Sequence, residues 1–319
     1  MTASSSAARP QWLVEDMARI EDLLFAAAGA SKLALVAEAS THLIKAGGKR
    51  LRPALVMIAS RAGEPGLRAT DLAATAIELV HLATLYHDDV IDETETRRGV
   101  PTAHAKWGTD VAVLAGDYLF ASGSALGAEA GGEVPGILAR AIAEVCEGQI
   151  AETEAAGDPA RPVDDFLDTI GKKTGALFRA SCDLGAATSG ASDGDRAALV
   201  RFGSHLGLAF QMVDDLLDLT GDPKVTGKIP GTDLKEGVYT LPVLLACDRD
   251  AGLAGRLRAG ERRLEDVLPV LETTGALGEA FALAGAEARA AEGALDALPD
   301  TPWRATLAGI LDGVLAQVR

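Results

Sequence analysis

Residues 85–99 read LYHDDVIDETETRRG and residues 209–222 read AFQMVDDLLDLTGD. Each carries the pattern D-D-x-x-D within a segment otherwise rich in apolar residues, and together they decide the fold class. On an α-helix, positions i and i+4 lie about 40° apart around the axis. Asp88 and Asp92 therefore share a face with Asp89 to one side, and Asp214 and Asp218 repeat the arrangement beside Asp215. Like charges buried together are costly unless a cation offsets them. One such cluster reads equally well as an exposed acidic turn. Two copies, each in an apolar helix, ask for a shared ligand. Mg²⁺ is the usual offset, because it takes a few carboxylates and fills the rest of its sphere with water and substrate phosphate oxygens. The pattern predicts a diphosphate held between two helices.

The surrounding chain supports helices throughout. Ala, Leu and Glu dominate, apolar residues recur every three or four positions, and β-branched alternation is scarce. Segments 70–92 and 195–219 are apolar on much of their circumference, which places them at the centre of a bundle or against a second copy. Breaks are expected at 62–66, 131–136, 157–159, 189–190, 221–233, 252–260 and 299–302, most of them short connections between antiparallel helices. The stretch 221–233, GDPKVTGKIPGTD, is long and polar enough to be functional. No composition shift or linker divides the chain, so one all-α domain over 1–319 is expected, with a loose arm at 1–10.

Composition bounds the partners. The 319 residues are 48% apolar, enough for a substantial core. A net charge of −16 repels nucleic acid and anionic lipid, so a phosphate ligand needs local cations or metal ions. Cys146, Cys182 and Cys247 lie far apart among apolar neighbours, which reads as a reduced, cytoplasmic chain without disulfides or a zinc framework. The opening MTASSSAARP lacks the pattern of a secretory signal. Apolar stretches such as VAVLAGDYLFASGSALG (111–127) are broken by charge before the length of a membrane span, so a soluble protein is expected.

The cations such a site needs are present. AGGKRLRP (46–53) sets Lys49, Arg50 and Arg52 at a helix start, where free N–H groups and the dipole also favour an anion. Arg97 and Arg98 follow the first acidic cluster, Lys172, Lys173 and Thr174 sit in IGKKTGALF, and Lys228 lies in the long glycine loop. Each alone reads as solvated surface. Together they outline two anion sites beside a metal cluster.

As a set, GGKRLRP, the HDDVIDETETRRG block, the KT pair and FQMVDDLLD followed by TGK resemble the trans-isoprenyl diphosphate synthases, or polyprenyl synthetases, over roughly residues 40–245. The resemblance implies an isoprenoid synthase-type helical bundle around a central apolar cavity. It also implies a homodimer and three Mg²⁺ ions binding an allylic diphosphate between the aspartate motifs. By similarity, Asp88 and Asp92, with Asp89 nearby, hold two ions, and Asp214, supported by Asp215 and Asp218, holds the third. Arg97, Lys173, Thr174, Gln211 and Lys228 would contact the allylic diphosphate, and Lys49, Arg52, His81 and Arg98 would hold isopentenyl diphosphate. The implied reaction ionises the allylic C–O bond, the isopentenyl double bond attacks the cation, and a proton is lost to the released diphosphate. One departure stands out: in DLKEGVYTLP, Val238 occupies a position where the family often has lysine, and Lys235, one turn earlier, is a candidate substitute.

The product chain is expected to run below Asp88, past Ala83 and Thr84, then Val80, then Ile77 and Ala76. In short-chain relatives aromatic residues four or five positions before the motif close the cavity; here they are Ala83 and Thr84. At one helical turn of about 5.4 Å per isoprene unit, an open first turn predicts a medium or long product, about C30 to C50. Close packing of Ala83 and Thr84 on a neighbouring helix, or obstruction by Tyr86, Tyr118 or Phe120, leaves geranylgeranyl diphosphate as the alternative. A class I terpene cyclase is disfavoured by the second D-D-x-x-D. A metal-dependent phosphohydrolase built on His42, His81 and the pair His87-Asp88 leaves that second motif unused. A non-catalytic partner subunit is disfavoured because both motifs are intact. After release, a long product favours transient contact with a membrane or an acceptor enzyme.

Overall fold

The structure, a computed structural model, describes residues 9–221 and 230–317. Most of the N-terminal arm and Lys228 lie outside these residues. Sixteen α-helices run through the described residues, and the one strand pair is a two-residue ribbon, Thr96–Arg97 against Val100–Pro101. The buried apolar side chains form one contiguous core from Leu13 to Val314.

Both segments expected at the centre are long helices there. Helix α4 (Arg68–Ile91) buries residues on nearly every side and packs against α1 (Gln11–Ala28), α3 (Leu51–Ala59), α6 (Thr109–Ala130) and α9 (Ala176–Ser189). Its seam with α6 is close: a Cβ on Gly116 would fall 2.3 Å from His87 Nε2. Helix α10 (Asp193–Thr220) starts where Ser192 Oγ accepts the Asp195 N–H, with Asp193 and Asp195 complementing the helix dipole. It packs on α9 and on α15 (Ala276–Leu295).

Two expectations are corrected. The break at 252–260 is largely helix α13 (Ala251–Arg258). Asp250 caps it, accepting from the N–H groups of Gly252 at 2.8 Å and Leu253 at 3.3 Å. Glycine in a helix costs roughly 0.5–1 kcal/mol, whereas burying a leucine stabilises by about 1.5–3 kcal/mol. Buried Leu253 and Leu257 therefore outweigh Gly252 and Gly255, and the turn is deferred to Gly260 with φ +87°. Second, α6 is long and apolar enough to cross a membrane, although the sequence reading expected no such segment. Asp110, Asp117 and Glu129 are too few and too spread to lower its hydropathy. One of its sides packs on α4, while Leu114 on another is 64% exposed.

Candidate active site

The first motif ends a helix. Helix α4 stops at Ile91, and the Asp92 N–H still donates to the Asp88 carbonyl at 2.8 Å, so the two carboxylates keep their i, i+4 relation. Beyond it the ribbon turns through Arg98 and Gly99, both at positive φ, the conformation a two-residue hairpin loop demands. That turn sends neighbouring arginines to different places. Arg97 Nε donates to Asp89 Oδ1 at 2.6 Å, whereas Arg98 Nη1 donates to the Leu43 carbonyl at 2.9 Å and to that of Gly47. Burial pushes the Asp88 carboxyl up to about 6, with Lys173 opposing and Asp92 adding. Asp89 and Asp92 are raised by the same cause.

The second motif is tied to the first through a local widening of the helix. Helix α8 (Val163–Ile170) runs into α9 through a π-helical turn, Gly171–Gly175, which carries the KT pair. Such π turns inside helices concentrate at functional sites. Lys173 pairs with Glu152 of α7 (Val134–Glu154) and lies within electrostatic reach of Asp88 and Asp92. Burial works against its charge, but Glu152 and those aspartates hold the pKa above the usual lysine value. Thr174 faces the other motif: its hydroxyl donates to Gln211 Oε1 at 2.8 Å, and Gln211 Nε2 donates to Asp215 Oδ1 at 2.9 Å. Asp218 accepts from the N–H groups of Thr232 and Asp233 at 3.2 and 3.3 Å, anchoring the short helix α11 (Thr232–Glu236).

A separate cationic pocket forms around the glycine pair. Gly47, Gly48 and Arg50 all have positive φ, and a Cβ on Gly48 would lie 2.9 Å from Arg98 Cζ, so glycine is required there. Arg52 sits over the Phe178 ring at 4.9 Å, and its buried Nε has no hydrogen-bond partner. Burial lowers its pKa to about 10, and nearby Arg98 adds to that. Burial, then Arg52 and Arg98, push His81 well below its usual range, leaving a neutral imidazole. Lys49 is exposed, with Nζ 3.3 Å from Gln317 Oε1. Arg50, grouped with these cations in the sequence reading, is committed elsewhere: it binds Glu21 through two 2.9 Å hydrogen bonds and buried Glu78 at 3.3 Å. Lys172 likewise pairs with Asp168 and Glu147 at the surface.

The arrangement brings together Asp88, Asp89, Asp92, Arg97, Lys173, Thr174, Gln211 and Asp215, with Glu152 acting electrostatically on Asp88, Asp92 and Asp215. A cavity of about 210 Å³ adjoins it, lined in part by Asp92, Gln149, Glu152, Arg161, Thr169 and Val238. Lys235 is exposed and does not line this cavity, so it does not stand in for a lysine at 238 there. Glu78, Glu152 and Arg161 escaped the sequence reading. Glu78 carried a usable signal, a lone carboxylate inside an apolar helix.

The acidic set fits a hard cation. Asp89 Oδ2 and Asp215 Oδ2 are buried and lack any hydrogen-bond partner, an expensive state that a cation relieves. Among the described residues no three carboxylate, imidazole or thiolate groups close on one metal position.

A family model for polyprenyl synthetase matches residues 33–267. The chain is 38% identical over 286 residues to nonaprenyl diphosphate synthase of Mycobacterium tuberculosis, covering 87% of this chain and 85% of that one. It is also 38% identical over 301 residues to heptaprenyl diphosphate synthase component 2 of Geobacillus stearothermophilus, covering 93% and 94%. The fold matches polyprenyl synthase from Caulobacter crescentus CB15, solved with calcium and isoprenyl diphosphate. The TM-score is 0.91 at 34% identity, covering 99% of each chain. With the all-helical fold, both aspartate motifs and this likeness over most of its length, the chain belongs to the polyprenyl synthetase family of prenyltransferases.

Proposed function

We propose that this chain is an all-trans polyprenyl diphosphate synthase, extending an allylic diphosphate by successive condensation with isopentenyl diphosphate and using Mg²⁺. The observation that carries the reading is the division of labour at the π turn. Lys173 reaches toward the first aspartate motif and Thr174 is bonded through Gln211 to the second, so one ligand lying between the motifs meets both.

Asp88 and Asp92, with Asp89 beside them, and Asp214, with Asp215 and Asp218, hold the metal ions, three in all. When bound, Mg²⁺ would neutralise charge on the departing diphosphate. Arg97, Lys173, Thr174 and Gln211 contact the allylic diphosphate and stabilise the same charge as the C–O bond breaks. Lys228, outside the described residues, joins them in this reading. Lys49, Arg52, His81 and Arg98 fix isopentenyl diphosphate so that its double bond lies alongside the allylic carbon. Neutral His81 contributes an N–H donor rather than a charge. The released diphosphate takes the proton, and apolar walls keep water from the cation.

The test is incubation of the purified chain with Mg²⁺, labelled isopentenyl diphosphate and, separately, dimethylallyl, geranyl, farnesyl and geranylgeranyl diphosphates. A ladder of products ending at about C30 to C50 is expected from the one-turn-per-unit ruler. A stop at C20 keeps the reaction and shortens the product. No elongation with any primer refutes the reading.

Two side chains bear on product length. Ala83 is fully buried in the row of α4 that includes Val80 and His87 and faces α6, so Ala83 and Val80, both expected along the product path, pack in the helix seam instead. Thr84 is half-buried, one turn before Asp88, with its hydroxyl bonded to the His81 carbonyl. Tyr86 is anchored away from that row, donating to the Ala39 carbonyl at 2.5 Å. Thr84→Phe is expected to shorten the product by one or more isoprene units. Ala83→Phe overfills the seam, at a stability cost of about 1–3 kcal/mol. An unchanged ladder in Thr84→Phe would place the floor elsewhere.

The exposed apolar side chains Val113 and Leu114 on α6 and Ile150 on α7 support a homodimer through these helices. Light scattering at twice the chain mass is expected, falling to one chain mass in Leu114→Glu; a monomeric parent refutes it. The relative named as a component raises a second arrangement, a chain dependent on a partner subunit. Activity of the purified chain alone excludes that. The three free cysteines support a reducing, cytoplasmic setting, and release of a long product favours transient membrane contact.

A further inference from the structure

We propose that Arg161 is a binding residue for the metal-bound diphosphate, supplying in the cavity that Asp92 and Val238 also line the positive charge that Val238 does not. The inference rests on the function proposed above and goes beyond it in assigning a residue outside every recognised motif. Arg161 lies just before α8 and lines the 210 Å³ cavity together with Asp92, Gln149, Glu152, Thr169 and Val238. No other cation lines that cavity among the described residues.

Its guanidinium is fastened by one nitrogen. Nη2 donates to the Asp165 carbonyl at 3.1 Å and to Thr169 Oγ1, and Thr169 in turn donates to Asp165 O at 2.9 Å. The Phe166 ring lies below, 5.7 Å away. These contacts hold the plane in one orientation. Nε and Nη1 make no hydrogen bond among the described residues, and no described carboxylate lies within ion-pair distance. The result is a fixed, partly desolvated cation with unused donors on the edge of a carboxylate cluster. Glu152, the largest acidic influence on it, is already paired with Lys173. Lys173 thus acts on Asp88 and Asp92 while holding a counter-ion, whereas Arg161 lines the cavity they adjoin without an ion pair among the described residues. An oxyanion brought in by metal ions at Asp92 would meet its free N–H groups, the geometry in which guanidinium binds phosphate oxygens well.

A purely structural role, closing the start of α8 through Asp165 and Thr169, predicts lower stability on substitution and unchanged anion affinity. The experiment therefore measures binding by titration calorimetry, with inorganic diphosphate and Mg²⁺ as the probe. The proteins are the parent, Arg161→Gln, Val238→Lys and the double variant, each with a thermal melt, alongside elongation assays. Arg161→Gln is expected to weaken binding about tenfold and to raise KM for the allylic substrate while leaving that for isopentenyl diphosphate unchanged. Val238→Lys is expected to tighten binding much more in the Arg161→Gln background than in the parent. Unaltered affinity in Arg161→Gln overturns the assignment. Equal tightening by Val238→Lys in both backgrounds also overturns it, whatever the melts show. If the parent binds Mg²⁺–diphosphate and Arg161→Gln weakens that binding, but no primer is elongated, the anion site stands and the synthase reading falls.

Discussion

Replacing Asp88 or Asp214 with alanine is expected to lower turnover by about 10³-fold or more, the scale set by removing a preorganised group that stabilises transition-state charge. The helical fold should survive. In the metal-free protein Asp88 is a liability, since burial already drives its carboxyl up to about 6. Removing Asp88 relieves desolvation and leaves Lys173 its pairing with Glu152. Circular dichroism and a thermal melt should match the parent, while product formation with labelled isopentenyl diphosphate collapses. Asp89→Ala is a different experiment: it also unpairs Arg97 and would disturb the ribbon, so loss of activity there combines two causes. Full turnover in Asp88→Ala or Asp214→Ala would refute the assignment of the two motifs as a joint metal site. Removing divalent ions with a chelator should reproduce the loss in the parent and be reversed by Mg²⁺.

The parts of this site legible in the sequence are those with a local signature. Paired aspartates at i, i+1 and i+4 within apolar helix announce themselves because burial of like charge demands explanation. The helices at 70–92 and 195–219 are legible because they are apolar on nearly all sides. What escapes is set by tertiary contacts. The π turn at Gly171–Gly175 depends on one shifted backbone register that GKKTG does not advertise, yet it lets neighbouring Lys173 and Thr174 serve different motifs. The ribbon that parts Arg97 from Arg98 is two residues long on each strand, too short for alternation to show. The helix at 251–258 formed against two glycines because Asp250 caps it and two leucines bury. Lys49, Arg50 and Arg52 look alike in a list of cations. Only the fold reveals that Arg50 is turned inward, and this distinction separates binding from scaffolding.

Arg50→Met is expected to cost about 3–5 kcal/mol of stability, the range for removing one partner of a buried ion pair. Arg50 is 8% exposed and Glu78 2%, so solvent screens their attraction little. Arg50 also donates to the Ile44 and Gly47 carbonyls, joining α1, through Glu21, to α4 and to the loop that presents Lys49 and Arg52. Without it, Glu78 keeps Arg52 and Arg98 as electrostatic neighbours but has lost its direct hydrogen bond. Burial already raises the Glu78 pKa above its usual value, with the arginines opposing, and losing Arg50 raises it further. A carboxyl whose folded pKa exceeds its unfolded value of about 4.3 binds more protons when folded, so stability falls as pH rises through that window. The deficit of Arg50→Met relative to the parent should therefore be larger at pH 8 than at pH 5, as read by urea unfolding at both. Replacing the whole pair, Arg50→Met with Glu78→Leu, should recover part of the loss, because Glu78 is then no longer buried without Arg50, while buried Arg52 loses the one carboxylate acting on it. A cost below about 1 kcal/mol, or one independent of pH and unrelieved in the double variant, would mean that the anion loop is held by its glycines and Arg98 rather than by this buried pair.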